Sequence, residues 1–169
     1  MDLVLAKPED LRDVSFKCGI EYIDDYFEKR LLSDNGAVSY CFWADAEKQE
    51  LVGIASLSCS GIIIRSADKF NLTPAIEVKV FALNEQYQHK IYSVENGKKY
   101  TFGEYFLYRI KEKIYEVTEG WCGATHIVLY SVPTAVSFYK RCEFIKFVGD
   151  MEMPANMEIN GCTPMLQAL

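Results

Sequence analysis

The chain has 169 residues, half of them hydrophobic, and this size predicts one compact domain spanning residues 1–169. Its 18 Lys and Arg against 24 Asp and Glu give a net charge of −6, which opposes binding of nucleic acid by the whole surface. No stretch approaches the ~18 uninterrupted apolar residues of a membrane helix, and no signal-peptide pattern opens the chain, so we expect a cytoplasmic protein.

The first third of the chain predicts a helix followed by a hairpin. Apolar residues recur at helical spacing over residues 20–31, with charged residues between them. Aromatic and β-branched runs at 38–43 and 51–58, separated by polar residues, predict two paired strands. Residues 62–64 either extend this hairpin or begin another strand, and 68–74 has the composition of a loop.

The middle of the chain predicts a central strand and a small hairpin. Over residues 75–83 apolar side chains alternate with more polar ones, which is the period of a strand. Residues 91–100 then form two short runs around Asn96-Gly97, a pair that supplies the positive φ of a type I′ turn. This small hairpin is predicted as an insertion between the central strand and the next helix.

A second helix is predicted directly after the hairpin. Thr101 and Glu104 have the spacing of a capping box, an apolar stripe follows, and Gly120 is placed to end the helix. Residues 125–130 (THIVLY) are short and apolar, as in a buried strand.

The last part of the chain predicts a short helix and two closing strands. Pro133 suits the first turn of a helix that ends near Cys142, and strands are expected at 144–148 and 165–169. A strand, a crossover helix and a second strand in succession imply parallel pairing, so we predict a mixed sheet.

The six cysteines form no CxxC pair and have neither zinc spacing nor the density of a disulfide scaffold, so we predict reduced thiols and no metal site. No cysteine has a neighbouring basic motif, which makes covalent catalysis an unfavourable interpretation.

The start of the second helix is a candidate anion site. A helix N-terminus carries unpaired N–H groups and partial positive charge, and Gly103 would let a phosphate approach the backbone. Lys98 and Lys99 add positive charge there. The alternative is an ordinary capped helix with two lysines beside it.

Two segments resemble known sequence motifs. Residues 80–88 (VFALNEQYQ) and 135–144 (AVSFYKRCEF) are similar to motifs of the GNAT superfamily of acyl-CoA-dependent N-acyltransferases, the second to the A-x-x-F-Y-x-x-x-G-F signature. The resemblance implies an α/β fold with a central mixed β-sheet flanked by helices, and acetyl-CoA as co-substrate without a metal.

The resemblance also implies which residues bind acetyl-CoA. Backbone groups of the central strand would pair with the pantetheine arm, and the segment before the second helix would hold the phosphates. Glu143 replaces the glycine of the family's Gly-Phe pair, and Val132 stands where the family often has an asparagine. The implied cofactor-binding residues are Phe81, Ala82, Leu83, Lys98, Lys99, Tyr100, Thr101, Phe102 and Gly103.

The same resemblance assigns the catalytic groups. Tyr139 matches the tyrosine that protonates the departing CoA thiolate, a role suited to a phenol that stays protonated at neutral pH. Glu77 aligns with the glutamate base of some members. The alternatives are a packing role for Tyr139 and a solvated carboxylate for Glu77. His89 and His126 are weaker candidates, since a lone histidine is usually structural.

The resulting hypothesis is an N-acetyltransferase that transfers an acetyl group from acetyl-CoA to a primary amine by direct attack. A non-catalytic acyl-CoA-binding or protein-interaction module is the first alternative. The second is a toxin that acetylates aminoacyl-tRNA, because Phe16-Lys17-Cys18-Gly19 before the first helix resembles the toxin branch. The net charge argues against nucleic acid as a partner. The acceptor amine is not identified, and a homodimer is left open.

Overall fold

The computed structural model describes residues 3–66, 69–154 and 161–169. Its helices are α1 (Glu21–Lys29), α2 (Phe102–Gly120) and α3 (Val136–Arg141), with 3₁₀ turns at Glu85–Tyr87 and Pro133–Ala135. Its strands are β1 (Val4–Ala6), β2 (Val38–Trp43), β3 (Leu51–Ser66), β4 (Lys69–Leu83), β5 (Ile91–Glu95), β6 (Lys98–Thr101), β7 (His126–Ser131), β8 (Ile145–Lys146), β9 (Met151–Glu152) and β10 (Thr163–Ala168).

The strands form a mixed sheet of eight, in the order β1-β2-β3-β4-β7-β10-β8 with β9 beside β3, and β5 and β6 form a separate hairpin. β4 and β7 run parallel, whereas β10 is antiparallel to β7 and β8. The parallel pair follows from the crossover through α2, because a helix returns the chain in the same direction. The predicted α/β fold with a central mixed sheet flanked by helices is confirmed.

The chain divides into two compact units. Unit 1 comprises Met1–Ser56 and Val80–Lys113, and unit 2 comprises Leu57–Lys79 and Ile114–Leu169. β3, β4 and α2 contribute residues to both. That residues 1–169 act as one domain stays a prediction.

In unit 1 the side chains of β4 alternate between its two faces, and one helix packs against each face. Val80 and Ala82 of β4 lie in an apolar cluster with Ile23 and Phe27 of α1. Phe81, which points the other way, stacks on Phe106 of α2 with 4.8 Å between ring centroids. The period-2 pattern of the sequence therefore buries both faces of this strand.

In unit 2 a smaller apolar cluster lies on one face of the sheet. The parallel register pairs Ala75 with His126 and Glu77 with Val128, so these four side chains point to the same side. The buried members of the cluster are Ile62, Ala75, Val128, Met153 and Leu166.

Most predicted elements are present, and residues 62–64 belong to the long strand β3. The loop predicted at 68–74 is wrong, because residues 69–74 open β4. Asn71 and Pro74 gave this stretch its loop-like composition. In the structure it lies close to β3, where a Cβ at Gly61 would be only 3.1 Å from the Thr73 carbonyl oxygen. The glycine therefore lets β3 and β4 approach closely. Asp68 lies outside the described residues.

The ends of the chain depart further from the predicted elements. The strand predicted at 144–148 is reduced to the two residues of β8, and β10 begins two residues earlier than predicted. β1 and β9 were not predicted, since segments of two or three residues carry no period. Within the described ranges no helix is long and apolar enough to cross a membrane.

Candidate active site

The C-terminal end of β4 lies in unit 1 and carries the predicted pantetheine-binding residues. A Cβ on Gly53 would lie 2.8 Å from the Ala82 carbonyl oxygen and 2.8 Å from Phe106 Cε1, so only glycine permits this packing. Phe81 stacks on Phe106, and the Leu83 carbonyl accepts a hydrogen bond from Gln88 Nε2 at 3.0 Å. Residues 81–83 are thus fixed within this unit by the close approach of Gly53, by the ring of Phe106 and by the hydrogen bond from Gln88.

The parallel pairing of β4 with β7 is short. It comprises three residue pairs and ends where Glu77 faces Val128. β4 continues for six further residues to Leu83. The predicted pantetheine-binding stretch therefore begins beyond the last of these pairs.

The hairpin β5–β6 presents the predicted phosphate-binding lysines. Lys98 and Lys99 are exposed and pair with Glu95 and Val94 across the hairpin, and the Lys98 ammonium lies 4.9 Å from the Tyr100 ring centroid. The turn has φ of +49° at Asn96 and +78° at Gly97, as predicted for this pair. Positive charge therefore stands beside the start of α2.

The start of α2 has the predicted capping box. The Thr101 N–H donates to Glu104 Oε2 at 2.8 Å, and the Glu104 N–H donates to Thr101 Oγ1 at 3.2 Å. The Phe102 N–H donates to the Lys90 carbonyl at 3.1 Å. The N–H groups of Phe102 and Glu104, on either side of Gly103, are therefore already used, and the Glu104 carboxylate lies beside this helix start.

An aromatic cluster connects the hairpin to α2. Tyr92 of β5 stacks on Tyr105 at 4.3 Å and meets Phe102 at 5.4 Å, and Tyr87 meets Phe102 at 4.9 Å. Sequence reasoning missed the three tyrosines, because they come from a 3₁₀ turn, β5 and α2 and form no local motif. They fix the orientation of the lysine-bearing hairpin against the helix.

Glu77 lies in unit 2 and is half-buried rather than freely solvated. Burial raises the pKa of its carboxyl group, while a hydrogen bond from Ser60 and the charge of Lys79 act in the opposite direction. Tyr130 lies close enough that the charge of Glu77, added to burial, raises the pKa of the phenol. Sequence reasoning missed Ser60 and Tyr130, because a hydroxyl within a strand forms no motif.

Tyr139 is buried near the end of α3, between Phe138 and Phe144, whose ring centroids lie 5.1 and 5.7 Å away. The helix ends in a Schellman motif: the Phe144 N–H donates to the Tyr139 carbonyl at 3.0 Å, and the Glu143 N–H donates to the Lys140 carbonyl at 3.1 Å. Glu143 occupies the left-handed position of this motif with φ of +73°. The motif fixes the backbone that carries Tyr139.

The two histidines differ in their surroundings. His89 is exposed with φ of +61° after the 3₁₀ turn. His126 is half-buried at the start of β7, and its Nδ1 lies 2.8 Å from Thr125 Oγ1. In the part of the chain that the structure describes, no group of three or more His, Cys, Asp or Glu could hold a metal ion.

Comparison with known proteins gives matches only among solved structures. No family profile and no curated protein matches the sequence. A tyrosine-to-phenylalanine mutant of KacT is similar with a TM-score of 0.73 and 15% identity, over 99% of this chain and 95% of that one. AtaTR bound with acetyl-CoA gives 0.69 and 16%, over 96% and 92%. AtaT complexed with acetyl-methionyl-tRNAfMet gives 0.67 and 15%, over 96% and 94%.

These structures have the GNAT fold, and AtaT is a toxin. At such identities the likeness concerns the fold, and it covers nearly the full length of each chain. The chain therefore has the GNAT fold, and the resemblance found in the sequence is confirmed at that level.

Proposed function

We propose that this protein transfers the acetyl group of acetyl-CoA to a primary amine by direct attack, with Glu77 as base and Tyr139 as general acid. The observation that carries the proposal is the similarity of fold, over nearly the whole chain, to a structure bound with acetyl-CoA. The residues fit such a ligand in part. Lys98 and Lys99 offer charge for its phosphates, although the Glu104 carboxylate caps the nearby helix.

The chemistry requires three proton transfers. Glu77 accepts a proton from the ammonium form of the substrate, which leaves a neutral amine with a free lone pair. As the amine nitrogen bonds to the thioester carbonyl carbon and the carbon–sulfur bond breaks, the Tyr139 hydroxyl gives its proton to the sulfur. The tyrosine is then restored by the second proton that the new amide nitrogen loses.

The surroundings of both residues support these roles. A half-buried carboxylate is a stronger base than a solvated one, because burial disfavours its charge. Tyr139 is held by the Schellman motif at the end of α3. Solved structures of KacT and of AtaT include variants in which a tyrosine is replaced by phenylalanine.

The test combines ligand binding with turnover. Acetyl-CoA and free CoA should raise the melting temperature, since a ligand that binds only the folded state stabilises it. A panel of amines with thiol release as readout would then identify the acceptor. No thermal shift at millimolar CoA would favour the non-catalytic alternative.

A second candidate is an acetyltransferase whose amine is that of an aminoacyl-tRNA. It is favoured by the AtaT complex with acetyl-methionyl-tRNAfMet and by the exposed hairpin, since residues 90–99 contain three lysines and one glutamate. The complex of AtaT with a tRNA therefore does not support our expectation that nucleic acid is an unfavourable partner. A local basic surface can bind nucleic acid despite the net charge. This candidate predicts growth arrest on expression and a salt-sensitive association with tRNA. Normal growth without tRNA retention at low salt would exclude it.

A further inference from the structure

Three polar side chains from three strands of unit 2 share one face of the sheet. Glu77 of β4 pairs with Val128 of β7, and Tyr130 lies two residues beyond Val128, on the same side. Ser60 of β3 hydrogen-bonds the Glu77 carboxylate, so it also faces this side. β3 and β7 lie on either side of β4 in the sheet.

The surroundings of this carboxylate are apolar. Ala75 and Val128 belong to the buried cluster of unit 2, and Tyr130 packs against that cluster. Ile62, two residues after Ser60 on the same strand, is 2% exposed and belongs to it too. Glu77 therefore lies at the edge of the buried apolar cluster, and each neighbouring strand contributes a residue with a hydroxyl group near it.

We propose that Ser60 and Tyr130 are positioning residues that hold Glu77 as the base for the amine. The proposal rests on the function proposed above and goes beyond it by assigning how the base is set. The Tyr130 ring, with the apolar cluster, keeps water from the carboxylate and so strengthens it as a base. The Ser60 hydroxyl donates to one carboxylate oxygen, which fixes its orientation and limits the increase in basicity.

Other titratable groups face the same region. Lys79 lies on the same face of β4, two residues after Glu77, and its charge favours the ionised carboxylate. On β7 the titratable neighbours are Tyr130 and, four residues before it, His126, whose Nδ1 is next to Thr125 Oγ1. A pH profile of the wild-type chain alone cannot separate these groups, so the test uses variants with opposite expected signs.

The first measurement is the pH dependence of kcat/KM. Ser60→Ala removes a hydrogen bond to the carboxylate, so the acid limb should move to higher pH. Tyr130→Ala admits water, so the limb should move to lower pH, whereas Tyr130→Phe keeps the ring and should leave it near the wild-type position. Ser58→Ala is the matched control, since Ser58 is a half-buried serine on the same strand, and this change should leave the acid limb at the wild-type position. Glu77→Gln should abolish the limb and reduce kcat/KM by about 10²–10⁴-fold.

The second measurement needs no substrate. Carbon-13 NMR of glutamate-labelled protein follows the Glu77 carboxyl titration, with Glu77→Gln to assign its signal. The midpoint should rise in Ser60→Ala and fall in Tyr130→Ala. If these shifts occur but no amine is acetylated, the positioning stands and the proposed reaction is wrong. Unmoved midpoints in both folded variants, or an unmoved acid limb in an active enzyme, would overturn the inference. If Tyr130→Ala does not fold, Ser60→Ala decides alone.

Discussion

Thr101 and Glu104 cap the start of α2 reciprocally, each accepting the backbone N–H of the other. Thr101→Ala should therefore lower the free energy of unfolding by about 0.5–2 kcal/mol, because an amide loses its acceptor. Glu104→Gln keeps an acceptor oxygen but removes a negative charge, so it should destabilise less and tighten CoA binding. Urea denaturation and titration calorimetry measure the two effects. Unchanged CoA affinity in Glu104→Gln would mean that the pyrophosphate binds away from this helix.

Glu143 has a backbone conformation that favours glycine. Its φ of +73° in the Schellman motif after α3 is strained for a residue with a Cβ. Glu143→Gly should therefore raise the free energy of unfolding by about 1 kcal/mol without changing turnover. Glu143→Ala is the control, because it removes the same carboxylate and retains the Cβ. Equal stability of the two variants would show that strain is not the cause.

The sequence predicted those parts of the fold that repeat or follow local rules. The alternation in 75–83, the Asn96-Gly97 turn and the Thr101–Glu104 cap each depend on residues close in sequence, and each is present. The extension of β4 through Pro74 was missed, because Gly61, which permits that approach, is distant along the chain. Local composition therefore suggested a loop there.

The residues of the candidate site could be predicted from the sequence only through its resemblance to GNAT motifs. Tyr139 and Glu77 were assigned by resemblance, and their roles remain predictions. The burial of Glu77 depends on the register between β4 and β7, which no local pattern gives. Ser60 and Tyr130 reach Glu77 only through strand pairing, so the sequence alone could not bring them together.

Lys98 and Lys99 are predicted to contribute to CoA binding through charge. Reversing both, as Lys98→Glu and Lys99→Glu, should weaken CoA far more than a pantetheine fragment without the pyrophosphate, because the fragment lacks the charged groups. Both residues are exposed on β6, and Lys98→Glu stands opposite Glu95, so the double variant should lose at most about 1 kcal/mol of stability and stay folded. Affinities for the two ligands at one salt concentration measure the effect. Equal losses would assign the phosphates to another surface.

Tyr139→Phe separates proton donation from packing. The variant keeps the ring between Phe138 and Phe144 and deletes only the hydroxyl, so CoA affinity and melting temperature should hardly change. Turnover should fall by about 10²–10⁴-fold, equivalent to roughly 3–5 kcal/mol of barrier. The measurement compares kcat of the two proteins with a working amine. A wild-type rate would make Tyr139 a packing residue.

Glu77→Gln should increase stability at neutral pH even as it removes activity. Burial raises the pKa of Glu77 in the folded chain, so ionisation costs more there than in the unfolded chain. Below the ordinary value of 4.5 the group is protonated in both states and the cost is absent. It develops as the pH rises through that value and is complete above the folded pKa.

The stability difference between Glu77→Gln and wild type should therefore be present at pH 7 and close as the pH falls below about 4.5. Thermal denaturation across that range measures it. Glu47→Gln is the control, since Glu47 is exposed and lies outside the helices, between β2 and β3. A difference that grows towards acid pH would contradict the sign of the shift.

The buried thiols of unit 1 have a practical consequence. Burial raises the pKa of both Cys18 and Cys41 to about 12, so only about one molecule in 10⁵ carries either thiolate at pH 7. Alkylating reagents should therefore react first at the exposed Cys59. Modification of Cys18 and Cys41 would require the apolar core around α1 to open. The rate at which these two thiols are modified would therefore report how often that core opens in the intact protein.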